Sequence, residues 1–321
     1  MDPKYKMSNY VNLPLWLDKI IFDDFNGIYE KSPSEVNVNA EKGYKFAKIY
    51  LGTYFPRSFA EAYHIFGKLL DNSSYYQVLN KFDELRILDF CCGMGGEIIG
   101  LISILNSRLP NLKRVIVDAY DANPDYIRHL FKIKEYLQFG NNFEVFINPQ
   151  CLFIENEQYL RDISNPSKRY NIVLSCKALN EFIQCGFFPN ENIYRKIAEV
   201  FLPCLNDEGI LLLSDLTHKN NEFNVYYPEI MNKGLNSLIC SSNFYKTLYP
   251  YPCFFHENEC NGCYMQDVIF VSHRNATNDI SKIAYRIIGK AEFVDRVMNN
   301  ILPSNICRYI VPNADKSIPY K

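Results

Sequence analysis

Over the first eighty residues apolar side chains recur at intervals of three and four, which predicts helices at Leu15–Ile28, Glu41–Leu51 and Arg57–Leu70. The stretch is rich in aromatics and reads as a helical N-terminal cap, residues 1–80. From Leu85 the pattern changes to short apolar runs alternating with amphipathic stretches, the order expected of βαβ units on a parallel sheet. The runs predict strands at Arg86–Phe90, Arg114–Tyr120, Phe143–Ile147, Tyr170–Ser175 and Gly209–Asp215. Between the first two, Ile98, Ile99, Leu101, Ile102 and Leu105 keep helical spacing until Pro110, so a helix packed on the sheet is expected there. Farther on, a helix is predicted at Tyr227–Ile239, and Asn243–Leu248 and Asp267–His273 read as two strands paired at the sheet edge. Residues 280–301 read as one more amphipathic helix, and the Pro-containing tail beyond them as irregular. The organisation expected is therefore a cap (1–80), an α/β core (81–275) carrying a Cys-bearing hairpin (249–266), and a C-terminal helix and tail (276–321).

Two strand ends carry candidate chemistry. The first passes through Asp89-Phe90-Cys91-Cys92-Gly93-Met94-Gly95-Gly96 into a helix. In a doubly wound sheet such a turn lies at the carboxyl edge of the strands, where glycine lets a ligand approach the backbone. The second predicted strand ends Tyr120-Asp121-Ala122-Asn123-Pro124, which puts a carboxylate at its tip, one βα unit after the glycine turn. That carboxylate can accept both hydroxyls of a ribose, or it can cap the following helix. The full dinucleotide spacing Gly-x-Gly-x-x-Gly is not met, because Ile98 stands where the third glycine would be, and there is no Gly-x-x-x-x-Gly-Lys phosphate loop.

In the order of these motifs the chain resembles the class I S-adenosylmethionine-dependent methyltransferases. Asp89, Gly93 and Gly95 stand for the family's first motif and Asp121 for its ribose acid, while Cys91 replaces a usual glycine. The run Ser175-Cys176-Lys177-Ala178-Leu179-Asn180-Glu181 is similar to the fourth motif, where a strand opens toward the methyl group. The resemblance implies a Rossmann-like, seven-stranded methyltransferase sheet. It also implies S-adenosylmethionine as cofactor, held by Asp89, Cys91, Gly93, Gly95, Asp121, Ala122 and Ser175, with Glu181 and Asn180 as candidate catalytic residues. Ser175-Cys176-Lys177-Ala178 differs from the Asn/Asp-Pro-Pro-Tyr of amino-directed adenine and glutamine enzymes. The Pro-Cys pairs at Pro203-Cys204 and Pro252-Cys253 fall away from the place where cytosine C5 enzymes carry their nucleophile.

Cys253, His256, Cys260 and Cys263 fall within eleven residues, and Cys260 and Cys263 have the Cys-x-x-Cys spacing that lets two sulfurs share a metal. These four are candidate ligands for zinc or an iron–sulfur cluster, with Cys240 or Cys307 as further donors; free thiols in a hairpin are the alternative. The segment is similar to one in the methyltransferase-like family of the mitochondrial small ribosomal subunit and its bacterial relatives. Tyr50-Leu-Gly-Thr-Tyr54-Phe-Pro56-Arg57-Ser58 is similar to that family's aromatic stretch ahead of the glycine turn. Arg57, set among aromatics, is a candidate to clamp an anion or stack on a base, or simply a surface cation over an aromatic core. His218, three residues after the fifth predicted strand, is the best placed histidine for a base, although a surface role is the more ordinary one.

Composition narrows the partners. The chain has 321 residues, 48% hydrophobic, and 34 Lys plus Arg against 36 Asp plus Glu, so it lacks the broad positive field of a protein that grips bare nucleic acid. Eleven cysteines without a signal peptide fit a cytoplasmic location with reduced thiols. The most apolar stretch, Ile87 to Leu105, is broken by Asp89, Glu97 and four glycines, so no membrane span is expected. The methyl acceptor stays open between RNA or a ribosomal particle and a peptide or small molecule. The alternative function is a ribosome assembly or other binding factor with a retained cofactor pocket and a metal-binding Cys segment.

Overall fold

The computed structural model describes residues 8–31, 44–137, 140–164, 167–220, 224–255 and 267–302. Its strands are β1 (Tyr10–Asn12), β2 (Glu84–Phe90), β3 (Arg114–Asp121), β4 (Glu144–Cys151), β5 (Tyr170–Cys176), β6 (Leu205–Leu216), β7 (Lys219–Asn220), β8 (Val225–Tyr226), β9 (Tyr245–Tyr249), β10 (Asp267–His273) and β11 (Ala276–Lys290). The helices before the glycine turn are α1 (Leu15–Lys19), α2 (Tyr44–Ile49), α3 (Phe55–Leu70) and α4 (Ser73–Leu79). After it come α5 (Gly96–Arg108), α6 (Pro124–Tyr136), α7 (Glu157–Ile163), α8 (Leu179–Gln184), α9 (Ile193–Phe201), α10 (Tyr227–Ser242), α11 (Tyr251–Phe255) and α12 (Ala291–Met298). None of the described helices is long and apolar enough to cross a membrane.

One sheet of nine strands organises the chain in the order β4-β3-β2-β5-β6-β11-β10-β1, with β9 also paired to β11; β7 and β8 form a separate small ribbon. Strands β2 to β6 pair in parallel, and β11 runs against β6, β9 and β10. The five parallel strands were predicted within a few residues; the inner ones stand out because their apolar runs are buried on both faces, and in β5 six consecutive residues are buried, whereas β4 at the sheet edge is mostly exposed. Ile87, Ile172, Leu174, Ile210 and Leu212 belong to the core shared with α3 and α5, and Leu88, Val173, Leu211 and Leu213 to the core shared with α9 and α10. Doubly covered strands of this kind raise a crossover helix on each side, which leaves the carboxyl edge open for a site.

Two edge expectations are corrected. Residues 276–290 are strand rather than helix, and only Ala291–Met298 is helical. In the first part of β11 burial alternates, with Asp279, Ser281 and Ile283 inward; from Ile283 to Gly289 every residue is buried, so the period of two vanishes and the apolar spacing imitates a helix. Strands β9 and β10 do not pair with each other. Each pairs with a different part of β11, Tyr245–Tyr249 with Ile287–Lys290 and Asp267–His273 with the stretch up to Ile283.

The N-terminal segment is built into this sheet. β1 pairs in parallel with β10 at the edge, and three residues are too few for periodicity to reveal. A π-helical turn over Ile20–Asp24 extends α1, and a second over Tyr50–Tyr54 joins α2 to α3 without a break. α3 lies on α5 at close range because α5 carries Gly96 and Gly100 on that side: a Cβ on Gly100 would stand 2.2 Å from the Phe59 carbonyl oxygen. Gly100→Ala is therefore expected to destabilise the fold by about 1–2 kcal/mol, against the usual gain of an alanine inside a helix. Urea unfolding measures it, and an unchanged or higher midpoint would show that the two helices do not need this contact.

Candidate active site

The turn after β2 holds three residues in the left-handed region: Cys91 at φ +62°, Gly93 at +54° and Gly95 at +81°. Gly95 caps α5, and its missing Cβ leaves room for the Leu130 side chain, 2.6 Å from where a Cβ would lie. Cys91 thus adopts the conformation that the usual glycine would take without strain. The tip of β3 is stitched to this turn, because Asp121 Oδ2 accepts the Gly93 N–H at 2.7 Å and Oδ1 accepts the Asn123 N–H at 2.8 Å. Asn123, not Asp121, caps α6, accepting from Asp125 N at 2.9 Å. Asp121 is thereby released from the capping role.

A cleft opens at the carboxyl edge between these tips and the end of β5. Its walls are Cys91 and Gly93 of the turn, Asp121 and Ala122 after β3, Tyr126 of α6, and Leu152, Phe153 and Ile154 after β4. Cys176, Lys177 and Ala178 close it on the β5 side, followed by Asn180, Glu181 and Phe182 of α8, then Cys185 and Phe187, with Leu216 at the end of β6. Tyr50 and Tyr54 of the π-helical turn cover it from the N-terminal segment. The Tyr50 and Tyr126 rings lie 4.4 Å apart between centroids and those of Tyr50 and Tyr54 5.5 Å apart, and a Cβ on Gly93 would stand 2.3 Å from Tyr50 Oη.

Among the predicted cofactor residues, Cys91, Gly93, Asp121 and Ala122 line the cleft, as do Asn180 and Glu181. Asp89 stands behind the turn, fully buried, and neither carboxylate oxygen has a hydrogen-bond partner among the described residues. Ser175 does not line the cleft: it is buried, without a partner for Oγ among the described residues, and its neighbour Cys176 takes the cleft position. Asn180 gives both its N–H (3.0 Å) and its Nδ2 (2.6 Å) to Asp215, so it anchors the start of α8. Asp215 also accepts from Tyr194 Oη at 2.6 Å; burial pushes its carboxyl up to about 6 against these donors.

Burial dominates the electrostatics of the site. It raises Asp121 to about 6, with the Asn123 and Gly93 amides opposing, and raises Glu97 of α5 to about 8. Asp89 is raised well above the carboxylate range by burial and then by the neighbouring Glu97 and Asp121. The thiols of Cys91 and Cys176 are pushed well up for the same reasons, which keeps them from serving as thiolate nucleophiles.

Arg57 is neither an anion clamp nor a free surface cation. It makes a bidentate pair with Asp279 of β11 at 2.7 and 2.8 Å. His218 is exposed outside the cleft lining. Cys253 is buried on α11, Cys240 is exposed at the end of α10, and His256, Cys260, Cys263 and Cys307 lie outside the described residues. Among the described residues no three metal-ligating side chains converge, so zinc or an iron–sulfur cluster gains no support. Cleft residues that the sequence did not single out for the cofactor include Tyr126, Lys177 and the Leu152–Phe153–Ile154 stretch. Tyr50 and Tyr54 were noticed only as neighbours of Arg57, and their four-residue spacing is the one signal that could have put both rings on one face.

With β1 and β9 left aside, the strands from β4 through β10 run 3-2-1-4-5-7-6 in chain order, with the seventh reversed and the glycine turn after the first. This is a Rossmann-like, parallel-dominated sheet with helices on both faces. No family description and no curated relative matches the sequence. Solved structures similar to this chain include TehB from Haemophilus influenzae, at 14% identity and a TM-score of 0.37, where the match spans 68% of this chain and 62% of that one. A SAM dependent methyltransferase from Aquifex aeolicus matches at 11% identity and a TM-score of 0.33, over 68% and 91% of the two chains. The plantazolicin methyltransferase BpumL in complex with SAH matches at 15% identity and a TM-score of 0.41, over 85% and 93%.

Proposed function

We propose that the chain is an S-adenosylmethionine-dependent methyltransferase whose cofactor occupies the cleft between the Cys91–Gly95 turn, Asp121 and the segment after β5. The observation that carries this reading is Asp121: a carboxylate at the tip of the second parallel strand, lining the cleft and held by the N–H of the left-handed turn. Each of its oxygens accepts one backbone N–H and keeps a lone pair for a ribose hydroxyl. The unpartnered carboxylate of Asp89 suits the ammonium of the cofactor's amino-acid end, and a buried acceptor without a donor calls for such a partner. Leu152, Phe153 and Ile154 offer an apolar bed to the adenine.

When bound, the cofactor supplies a methyl sulfonium, an intrinsically good leaving group for in-line displacement. The protein then has to align and to exclude water. Tyr50, Tyr54 and Tyr126 wall the cleft with rings and keep bulk solvent from it. Glu181 presents a carboxylate on the same cleft, suited to orient an acceptor or take its proton, and Asn180 fixes the helix that carries it through Asp215. The acceptor is an RNA or ribosomal target, or a peptide or small molecule; a binding factor with a retained pocket is the other reading.

Calorimetric titration with S-adenosylmethionine, S-adenosylhomocysteine and NAD tests the proposal, which requires binding of the first two. Binding of NAD alone would overturn it. Transfer of labelled methyl groups into fractionated cell extract then separates enzyme from binding factor and shows whether the label enters RNA, protein or small molecules.

A further inference from the structure

Lys177 is the one described lysine or arginine that lines the cleft, and its backbone is left-handed, at φ +58°. That conformation strains a residue with a Cβ, so its surroundings must enforce it. All of its polar groups are held. The N–H donates to Ser214 O at 2.8 Å, the carbonyl accepts from Asn180 Nδ2 at 2.8 Å, and Nζ lies 3.0 and 2.9 Å from the two carboxylate oxygens of Glu61. The pair is buried, with side-chain exposures of 14% and 3%, and the Ser281 hydroxyl of β11 donates to Glu61 as well.

Glu61 belongs to a polar stripe on α3 at helical spacing: Arg57, Glu61, His64 and Lys68. Arg57 pairs with Asp279, and Lys68 and His64 face Asp267, so three of the four fasten α3 to the β10–β11 hairpin. Glu61 touches the hairpin too, through the Ser281 hydroxyl, but it alone of the four also reaches the loop after β5. Attaching the N-terminal helix to the sheet would be achieved by the other three. The glutamate makes a different connection, from the helix that begins at the Tyr54 side of the cleft to the loop whose Cys176 and Ala178 form the opposite wall.

We infer that Lys177 and Glu61 are positioning residues for the cofactor cleft: their ion pair holds the loop after β5 in its left-handed form, so that the N-terminal helix sets the width of the site. The inference rests on the reading of the cleft as the S-adenosylmethionine site. Lys177 does not act on the methyl group itself, since its Nζ is engaged by Glu61.

The test removes both charges together, because a single neutral substitution would strand the other charge in the interior. In Lys177→Met/Glu61→Gln, S-adenosylhomocysteine should bind about tenfold more weakly by calorimetry. Amide exchange should quicken over 176–185 while exchange over 57–70 stays as in the wild type. Lys177→Arg, which keeps the charge, should restore most of the affinity. Lys177→Gly/Glu61→Gln supplies the second check: glycine takes the left-handed form without the pair, so affinity should return toward the wild-type value if the pair acts by holding that form. Wild-type affinity or unchanged exchange over 176–185 in Lys177→Met/Glu61→Gln, or no recovery of affinity in Lys177→Gly/Glu61→Gln, overturns the inference. Should the wild-type chain bind neither S-adenosylmethionine nor S-adenosylhomocysteine, the methyltransferase reading fails, and the exchange data still decide whether the pair holds the loop.

Discussion

Replacing Asp121 by alanine is expected to weaken S-adenosylhomocysteine binding by roughly 1–3 kcal/mol, about five- to 150-fold in Kd. Two effects contribute to the loss. The ribose hydroxyls forfeit a charged acceptor, and the Gly93 N–H loses the carboxylate oxygen that holds it at 2.7 Å, so the left-handed turn is less well fixed when the ligand arrives. Asp121→Asn separates the two, since the amide oxygen can still accept from one N–H but offers no charge. The pH dependence is a second signature. Burial lifts the Asp121 carboxyl to about 6, so it ionises only as the pH passes that value. Wild-type affinity should therefore rise from pH 5 to pH 7 and level off above, while Asp121→Asn stays flat across the window. Calorimetric titration at pH 5, 6, 7 and 8 reads both, and an Asp121→Ala protein that binds as tightly as wild type would reduce Asp121 to a clasp for the turn.

Sequence alone was informative about this site in proportion to how local each feature is. Asp121 was legible because an apolar run that ends in Asp and is followed by Asn-Pro marks a strand tip and a helix start within five residues. The glycine turn was legible for the same reason, although Cys91, which carries a Cβ, also takes a φ of +62° there. Cys176 rather than Ser175 lines the cleft, and their run is apolar on both faces, so nothing in it says which neighbour looks that way. β11 failed because burial between β6 on one side and β9 with β10 on the other erases alternation. The roles of Lys177, Glu61 and Arg57 depend on contacts between positions more than a hundred residues apart, which no local pattern encodes.

Glu97→Gln should stabilise the protein at pH 8 and leave it nearly unchanged near pH 4.5. Glu97 is 3% exposed in the first turn of α5. Burial is the main cause that lifts its carboxyl from an ordinary 4.5 to about 8; its own backbone amide and Lys177 pull the other way, and Glu61 and Asp121 add to the rise. An N-terminal helix position favours a carboxylate by only about 0.3–1 kcal/mol, so the cost of burying the charge wins. In the unfolded chain the group loses its proton near 4.5, while the folded chain keeps it until about 8. Between those values folding takes up a proton, so the group's contribution to stability falls with rising pH by about 1.4 kcal/mol per pH unit, and the loss is complete above about 8. Glutamine keeps the shape and cannot ionise, so the stability difference between variant and wild type should widen steadily from pH 5 to pH 8, reaching several kcal/mol. Urea unfolding of both proteins at pH 5, 6.5 and 8 measures the difference directly. A gap of constant size would mean that Glu97 is already ionised in the folded protein, balanced by Lys177, and that the buried carboxyl cluster behind the glycine turn carries more negative charge than its burial suggests.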